Sequence, residues 1–561
     1  MRYLPVPSAA VVAGTAVVLG IVLGSTTAHM QDRTSARTRV YTAALAAIET
    51  DYVEPMPEVC SPSTVCGAEL LIYGSIDGML RTLDPHSSYF PPRDFARMCE
   101  RQEGRYFGIG IQIQQDPATQ DVTVTSLFEG SPAYRAGIRR GDVIAGVGEE
   151  MAKDWVLDDV VNRVKGPKGT TVDLKIRRPG LDQLLELTVA RDEIQIPSLR
   201  TAFMIEPGTG YVRLQDFSET TNEELGRALE SLTAQGMERL VLDLRDNHGG
   251  PLDQAIAVSN RFLYRGQVIV STRGRVRNSD EVYRATRQGD YTDVPLVVVV
   301  NRESASAAEI VTGAIQDHDR GVIVGETTFG KALVQSVYPI ANGAGLALTT
   351  GRYYTPSGRM IQRPWDSSFD EYIYGQRGAS LSRETNPADR KLTDGGREVY
   401  SGGGIDPDHF VAGPVEGFNP TRFSRSLGGG FVEFAERFTR EGDTRPGARS
   451  AATYQVAPGW ELTDEMVDEF RSYLIDRGVT IDEAAFAADL DFIKARIHFE
   501  VDTDLFGVEE ARRYISKVDP QLQAALLFFE EASVLLDQAR ARAEGRSPLA
   551  SVTTPDRTVT R

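Results

Sequence analysis

The spacing of apolar residues changes character several times along the chain, and each change predicts a different kind of structure. Residues 36–54 (ARTRVYTAALAAIETDYVE) and 69–83 (ELLIYGSIDGMLRTL) carry apolar positions at helical spacing, and LDPHSSYFPP (83–92) reads as a loop. Residues 31–103 are therefore predicted to form a small, mostly helical region. From Gly104 the period shortens to two. YFGIGIQIQQ and VTVTSLF alternate apolar and polar residues, as half-buried strands do, and TTVDLKIRR and LLELTVAR supply two more. Between them, GSPAYRAGIRRGDVI opens a short helix with Gly137 and Gly141 as punctuation, and VLDDVVNRVKG (156–166) is an amphipathic helix ended by Gly166. This sets off a β-rich unit at 104–195.

From about residue 196 to 415 the pattern is mixed. GYVRLQDF, ERLVLDLRDN, VPLVVVV and GVIVGE are short apolar strands, separated by the helical LDQAIAVSNRFLY and ASAAEIVTGAIQDHD. A strand that is nearly all valine belongs in a sheet covered on both faces, so an α/β core is predicted. Helical periodicity then dominates 416–545, while 546–561 lacks apolar periodicity and reads as a disordered tail.

Composition narrows the function classes. At 561 residues the chain is too long for one core. Its net charge of −18 argues against nucleic acid as the main partner, because phosphate binding needs basic patches. The six histidines are scattered, and none falls at metal-ligand spacing with Cys60, Cys66 or Cys99. Cys60 and Cys66 would close a small disulfide loop in an oxidising compartment, and three unpaired thiols are the other reading. Arg2 precedes the uncharged run PSAAVVAGTAVVLGIVLG (7–24), and Thr26-Thr27-Ala28 offers small residues for cleavage. Residues 1–30 thus read as an export signal, with an uncleaved membrane anchor as the alternative.

Chemistry is concentrated in two stretches. In VPLVVVVNRESASAAEIVTGAIQ a buried strand turns into a helix, with Ser306 at or near the helix start. Ser-x-x-Glu (306–309) also matches a capping box, so Ser304 or Ser306 can be read as a helix cap alone. The same geometry presents a nucleophile, because free N–H groups at the helix start face the same point. Such a serine needs a base. His318 lies at the far end of the same helix, and His248 stays open. Lys331, in TTFGKALVQS, is the other candidate. Its ordinary pKa of about 10.4 leaves it protonated at neutral pH, and lowering that by about 3 pH units costs roughly 4 kcal/mol. Phe329, Leu333 and Val334 are apolar neighbours, and no acid lies between Glu326 and Asp366. Gln335, four residues on, returns to nearly the same face and can orient an amine without re-protonating it. In the second stretch, LVLDLRDNHGGPLDQA (240–255), Gly249 and Gly250 allow close backbone approach. It lacks the G-x-x-x-x-G-K-[ST] pattern of a nucleotide loop.

The unit at 104–195 resembles a PDZ domain, with strand, GSPA-x-x-AG-x-x-x-GD-x-I, helix and KGPKGT in the expected order. The chain as a whole resembles the carboxyl-terminal processing peptidases of family S41, the tail-specific serine proteases with a Ser-Lys dyad. LDPHSSYF, LDLRDNHGG, SASAAEIVTGAIQD, GETTFGKALVQ, GRYYTPSGRMIQ and GGGIDPD occur in family order over about 60% of the chain. GKA stands where GKG is usual, and NHGG where NPGG or NSGG is common; neither removes a catalytic group. The resemblance implies an α/β core of crotonase-like ββα type with an inserted PDZ domain and helical terminal regions. It implies Ser306 as nucleophile, Lys331 as general base and Gln335 as the residue that positions it. The oxyanion hole is then the N–H of Ala307 plus that of Gly249 or Gly250. It further implies a PDZ groove in which Phe107, Gly108, Ile109 and Gly110 offer backbone to a terminal carboxylate, with Leu157 and Val160 or Val161 lining the last side-chain pocket. No metal or organic cofactor is implied. The expected partners are exported proteins with unstructured, apolar C-termini, in the periplasm or at the periplasmic face of the inner membrane. Self-association as a homodimer through the helical terminal regions is also expected. A PDZ adaptor with an inactive core and an acyl-CoA enzyme on a similar core are the competing classes.

Overall fold

The computed structural model describes residues 36–54 and 67–546, apart from 117–118, 129, 154, 179–180, 277–278, 366–371, 373–386, 414–426 and 440–450. The expected export segment, the Cys60–Cys66 loop and all but the first residue of the expected tail lie outside the described residues. Among those that are described, no helix is long and apolar enough to cross a membrane.

The chain forms two compact units, one ending at Thr82 and one beginning at Leu83. The first is helical where described, at 36–51 and Ala68–Leu80, with the Tyr41 and Ser75 hydroxyls 2.8 Å apart. The region expected at 31–103 is thus divided. Its second half, with the short strand Ser88–Phe90 and the helix Pro92–Glu103, belongs to the larger unit.

The larger unit is built on a six-stranded sheet ordered Leu199–Glu206, Thr209–Leu214, Arg239–Asp243, Leu296–Val300, Val322–Gly325 and His409–Phe410. The first two strands form an antiparallel hairpin and the remaining pairings are parallel. Residues alternate between its faces. Leu296, Val298 and Val300 pack with the helices Thr221–Ala234, Leu252–Asn260 and Ala307–Asp317. Val297 and Val299 face the other way, onto Leu522, Ala525, Phe529, Ala532 and Leu535. This is why the valine strand has no polar face.

The second covering layer corrects the expectation of one C-terminal helical region at 416–545. The described residues between 427 and 505 build a separate aromatic core around Phe431, Phe434 and Phe470. The helices Pro520–Leu526 and Phe529–Ala543 instead pack on the central sheet. Full burial of each large apolar side chain contributes about 1.5–3 kcal/mol, so this layer holds the sheet together.

A second sheet is antiparallel. Its long strand Gly345–Tyr354 pairs with Leu333–Pro339 along one edge, and with Ser88–Phe90 and Val268–Gly274 along the other. The LDPHSS loop is thereby brought beside the strand that carries Gln335. The β-rich unit has a six-stranded antiparallel sheet, five strands in the order Ile111–Gln115, Val122–Leu127, Val143–Val147, Thr171–Arg177 and Leu185–Ala190 and a short sixth, Glu150–Met151, on Val143–Val147, with the helix Leu157–Val164 against them. Strands Arg105–Gly108 and Asp192–Gln195 pair, so the chain enters and leaves this unit side by side. Arg140 ties it to the C-terminal helices through Glu500 and Asp504, each at 2.6 Å.

Candidate active site

The turn between Leu296–Val300 and Ala307–Asp317 is held by its own side chains. Ser304 Oγ accepts the Asn301 N–H at 3.0 Å and donates to the Leu244 carbonyl at 2.8 Å. Ser306 follows with φ +56° and ψ −113°, a backbone conformation that a residue with a Cβ rarely adopts. Strain of this kind needs support, and Glu309 supplies it by accepting the Ser306 N–H at 2.9 Å. The capping-box reading of Ser-x-x-Glu therefore describes real geometry and does not compete with a functional one. Ala307 opens the helix, and its N–H has no acceptor among the described residues.

The LRDNHGG loop is fastened against this turn. The Ala305 N–H donates to the Asn247 carbonyl at 2.8 Å. A Cβ on Gly249 would fall 2.7 Å from Ser306 Cβ and 2.8 Å from the Ala307 nitrogen, so only glycine permits the approach. The two glycines differ in what their N–H groups do. Gly249 donates to Asn247 Oδ1 at 2.9 Å, whereas the Gly250 N–H has no acceptor among the described residues. Behind the loop, Arg245 donates to both oxygens of Asp243 and reaches Asp519 and Gln521 at the start of the helix Pro520–Leu526. All but Asp519 of this group are buried. The two arginines around Asp243, Arg245 and Arg213, hold its carboxyl well below the usual range against a large burial cost.

Lys331 is tied to the same turn through Glu309. Its Nζ donates to Gln335 Oε1 at 2.9 Å, and Gln335 Nε2 donates to the His86 carbonyl at 2.5 Å. Glu309 collects four donors: the Ser306 and Lys331 amides on Oε2, and the Gly330 amide and Thr328 hydroxyl on Oε1. The Tyr353 hydroxyl donates to the Lys331 carbonyl at 2.6 Å and lies 3.2 Å from that of Ser306. Two side chains thus bridge the backbones of Ser306 and Lys331. Burial lowers the Lys331 amine below its ordinary value, and the charges of Glu309 and Asp84 oppose that without reversing it. Burial pushes Glu309 up to about 7 even with its donors holding it down. His86 is driven down to about 4 by burial and then by the Lys331 charge.

The structure anchors the Ser306 and Lys331 amides on one carboxylate, packs Gly249 against Ser306 and Ala307, and joins Gln335 to the Lys331 amine. His248 is exposed and lies near Asp216. His318 is engaged by Asp394 and the Val268 carbonyl, each at 2.7 Å. In the β-rich unit a groove of about 230 Å³ is lined by Gly108, Ile109, Ile111 and Val161, among others. Of the alternatives Val160 and Val161, Val161 lines the groove, while Val160 is fully buried in the unit's core because its position on the helix turns it inward. Leu157 packs at the margin of that core and does not line the groove. The Phe107 side chain is exposed on the entry strand, which leaves its expected backbone role untouched. The reading of Lys331 as remote from acids is also corrected. Glu309 and Asp84 reach it from other segments, a proximity that sequence distance hides. LDPHSS, read as a plain loop, supplies the acceptor for Gln335. The only sequence signals for these partners were the capping-box glutamate and the Asp-Pro-His turn.

Comparison with known proteins matches the β-rich unit and the α/β core. A PDZ domain model matches residues 98–177, and a model of peptidase family S41 matches residues 208–365. Over 304 residues the chain is 39% identical to the carboxy-terminal-processing protease of Bartonella bacilliformis, covering 53% of this chain and 69% of that protein. It is 34% identical over 321 residues to the carboxyl-terminal-processing protease of Synechocystis sp., covering 56% and 74%. Among solved structures, the photosystem II D1 C-terminal processing protease shares 29% identity at a TM-score of 0.34, covering 63% of this chain and 85% of that one. An α/β core with a PDZ domain, carrying a serine at a strained strand-to-helix turn, defines a serine-type peptidase. The chain belongs to the carboxyl-terminal processing proteases of peptidase family S41.

Proposed function

We propose that this protein cleaves exported proteins near their C-termini by a Ser-Lys dyad, with the PDZ domain selecting unstructured apolar tails. Ser306 Oγ attacks the scissile carbonyl while the neutral Lys331 amine takes its proton. The tetrahedral oxyanion is held by the N–H groups of Ala307 and Gly250, donors at this turn with no acceptor among the described residues. The Lys331 ammonium then protonates the leaving amine. In deacylation the amine takes a proton from water, hydroxide adds to the ester carbonyl, and collapse releases the new C-terminus as the Lys331 ammonium returns the proton to Ser306 Oγ. Gln335 keeps the amine aimed without adding a charge that would hold it protonated. The observation that carries this reading is the shared anchoring of the Ser306 and Lys331 amides on Glu309 Oε2. Export follows from the N-terminal apolar run, and action at the periplasmic face of the membrane goes with it. The core is of the crotonase-like type, and self-association as a dimer completes the reading; light scattering of the full chain tests that last part.

The test is mass spectrometry of exported proteins from cells carrying the native chain or Ser306→Ala. New C-termini that vanish in the variant are the expected result and would name the substrates. Cleavage that persists in Ser306→Ala sinks the assignment.

A further inference from the structure

The end of the groove where a tail's carboxylate would sit is already occupied by the protein itself. The groove runs between the strand Ile111–Gln115 and the helix Leu157–Val164, and it closes at the turn Gly108–Ile111. Gly110 makes that turn with φ +85°, packed so closely that a Cβ would lie 2.3 Å from Ser131 Cβ. Consecutive N–H groups in such a turn are suited to a terminal carboxylate, while the strand edge pairs with the peptide backbone.

Tyr106 comes from the strand by which the chain enters this unit, and its ring folds over Gly108. A Cβ on Gly108 would meet Tyr106 Cε2 at 2.8 Å and Cδ2 at 3.3 Å. Phe128 meets the ring edge-on at 6.4 Å, and Lys165 Nζ stands 4.9 Å from its centre. The N–H groups of Gly110 and Ile111 face the Tyr106 hydroxyl oxygen, and burial followed by the Glu100 charge pushes that hydroxyl up to about 12. It is therefore neutral at working pH. Lys165, the ammonium at this end of the groove, is paired with Glu100 of the helix Pro92–Glu103 at 2.5 Å.

We propose that Tyr106 is an internal plug of the tail-binding groove, its hydroxyl standing where a carboxylate oxygen would bind and Glu100 neutralising the neighbouring cation. A tail must displace the ring and draw Lys165 from Glu100 before it seats. Tyr106 lies on the ribbon formed with Asp192–Gln195, so seating a tail disturbs the two strands that join this unit to the peptidase core. The proposal rests on the reading of this groove as the tail site.

The experiment uses the full chain carrying Ser306→Ala, so that peptide is bound and not cut. Fluorescence anisotropy follows a labelled peptide ending in apolar residues, with either a free or an amidated C-terminus. Adding Tyr106→Phe keeps the ring and removes the hydroxyl. It is expected to tighten binding of the free-carboxylate peptide by about 3- to 10-fold, the effect of one hydrogen bond no longer competing. Glu100→Gln is expected to tighten it further and to leave the amidated peptide weak. Weaker or unchanged binding by Tyr106→Phe overturns the plug: the hydroxyl would then be a ligand contact or a bystander. Equal affinity for free and amidated peptides in every variant overturns the tail-site reading itself, and the plug with it.

Discussion

Lys331 donates its backbone N–H to Glu309 at 2.8 Å, on the same carboxylate oxygen that takes the amide of Ser306 at 2.9 Å. A helix-capping residue therefore also sets the spacing between two loops that are distant in sequence. Replacing Glu309 with alanine leaves four donors, two of them buried, without an acceptor, at about 1–3 kcal/mol for each buried one when fully unmet. Glu309→Gln is the gentler probe, since its amide group faces donors on one side. We expect kcat/KM to fall about 100-fold, equivalent to about 2.7 kcal/mol of lost positioning, with KM changing little. Steady-state kinetics on a tailed substrate provide the check, and an unaltered kcat would refute the shared-anchor role.

The working form of Lys331 is the free amine, and burial lowers its pKa. The kcat/KM profile should therefore rise with pH through a midpoint below 10.5 and then level off. Gln335→Glu places a carboxylate where the amide now accepts from Nζ. A nearby negative charge favours the ammonium, so the midpoint moves to higher pH and activity near neutrality falls. A midpoint that stays put in this variant, measured across the alkaline limb, would mean that Gln335 does not face the working amine.

His86 has a folded-state pKa of about 4 against an ordinary 6.5. For a base with a depressed value, the native state resists protonation. The associated stability is complete above pH 6.5, and it is lost as pH falls from there towards about 4. The ring is only partly buried, so the effect is on the order of 1–2 kcal/mol. Urea unfolding at pH 7 and pH 5 should show a smaller loss for His86→Gln than for the native chain. Equal losses in both would place the acid sensitivity elsewhere.

Asp519 reaches the buried Arg245 behind the LRDNHGG loop. Removing Asp519 leaves Arg245 paired with Asp243 but strips one charged acceptor from its buried guanidinium, and about 1–3 kcal/mol is the expected cost. Asp519→Ala should lower the unfolding midpoint and, because Arg245 braces the loop that carries Gly249 and Gly250, reduce kcat as well. Chains ending before Pro520 should lose solubility altogether, because the valine face of the central sheet would be bare. A soluble, active truncation at that point would show that the C-terminal helices are dispensable.

Much of the architecture could be read from local pattern. The valine run 296–300 announces a strand buried on both faces, because a solvated face would need polar residues at alternate positions. The Ser306 turn and the glycine pair Gly249-Gly250 follow from backbone demands that few residue types meet. Groove positions were less legible. Apolar residues on an amphipathic helix look alike in sequence whether they face core or cleft, and Val160 and Val161 fall on different sides.

Contacts between remote segments lay beyond local pattern. Glu309 with Lys331, Gln335 with His86, Arg245 with Asp519 and Glu100 with Lys165 each join residues that no short-range periodicity relates. Chain order specified which chemical groups were available, since helix, strand and turn preferences act over a few residues. Their electrostatic partners emerged on folding, because charge and burial act through space, and distance in space is set by how the layers pack.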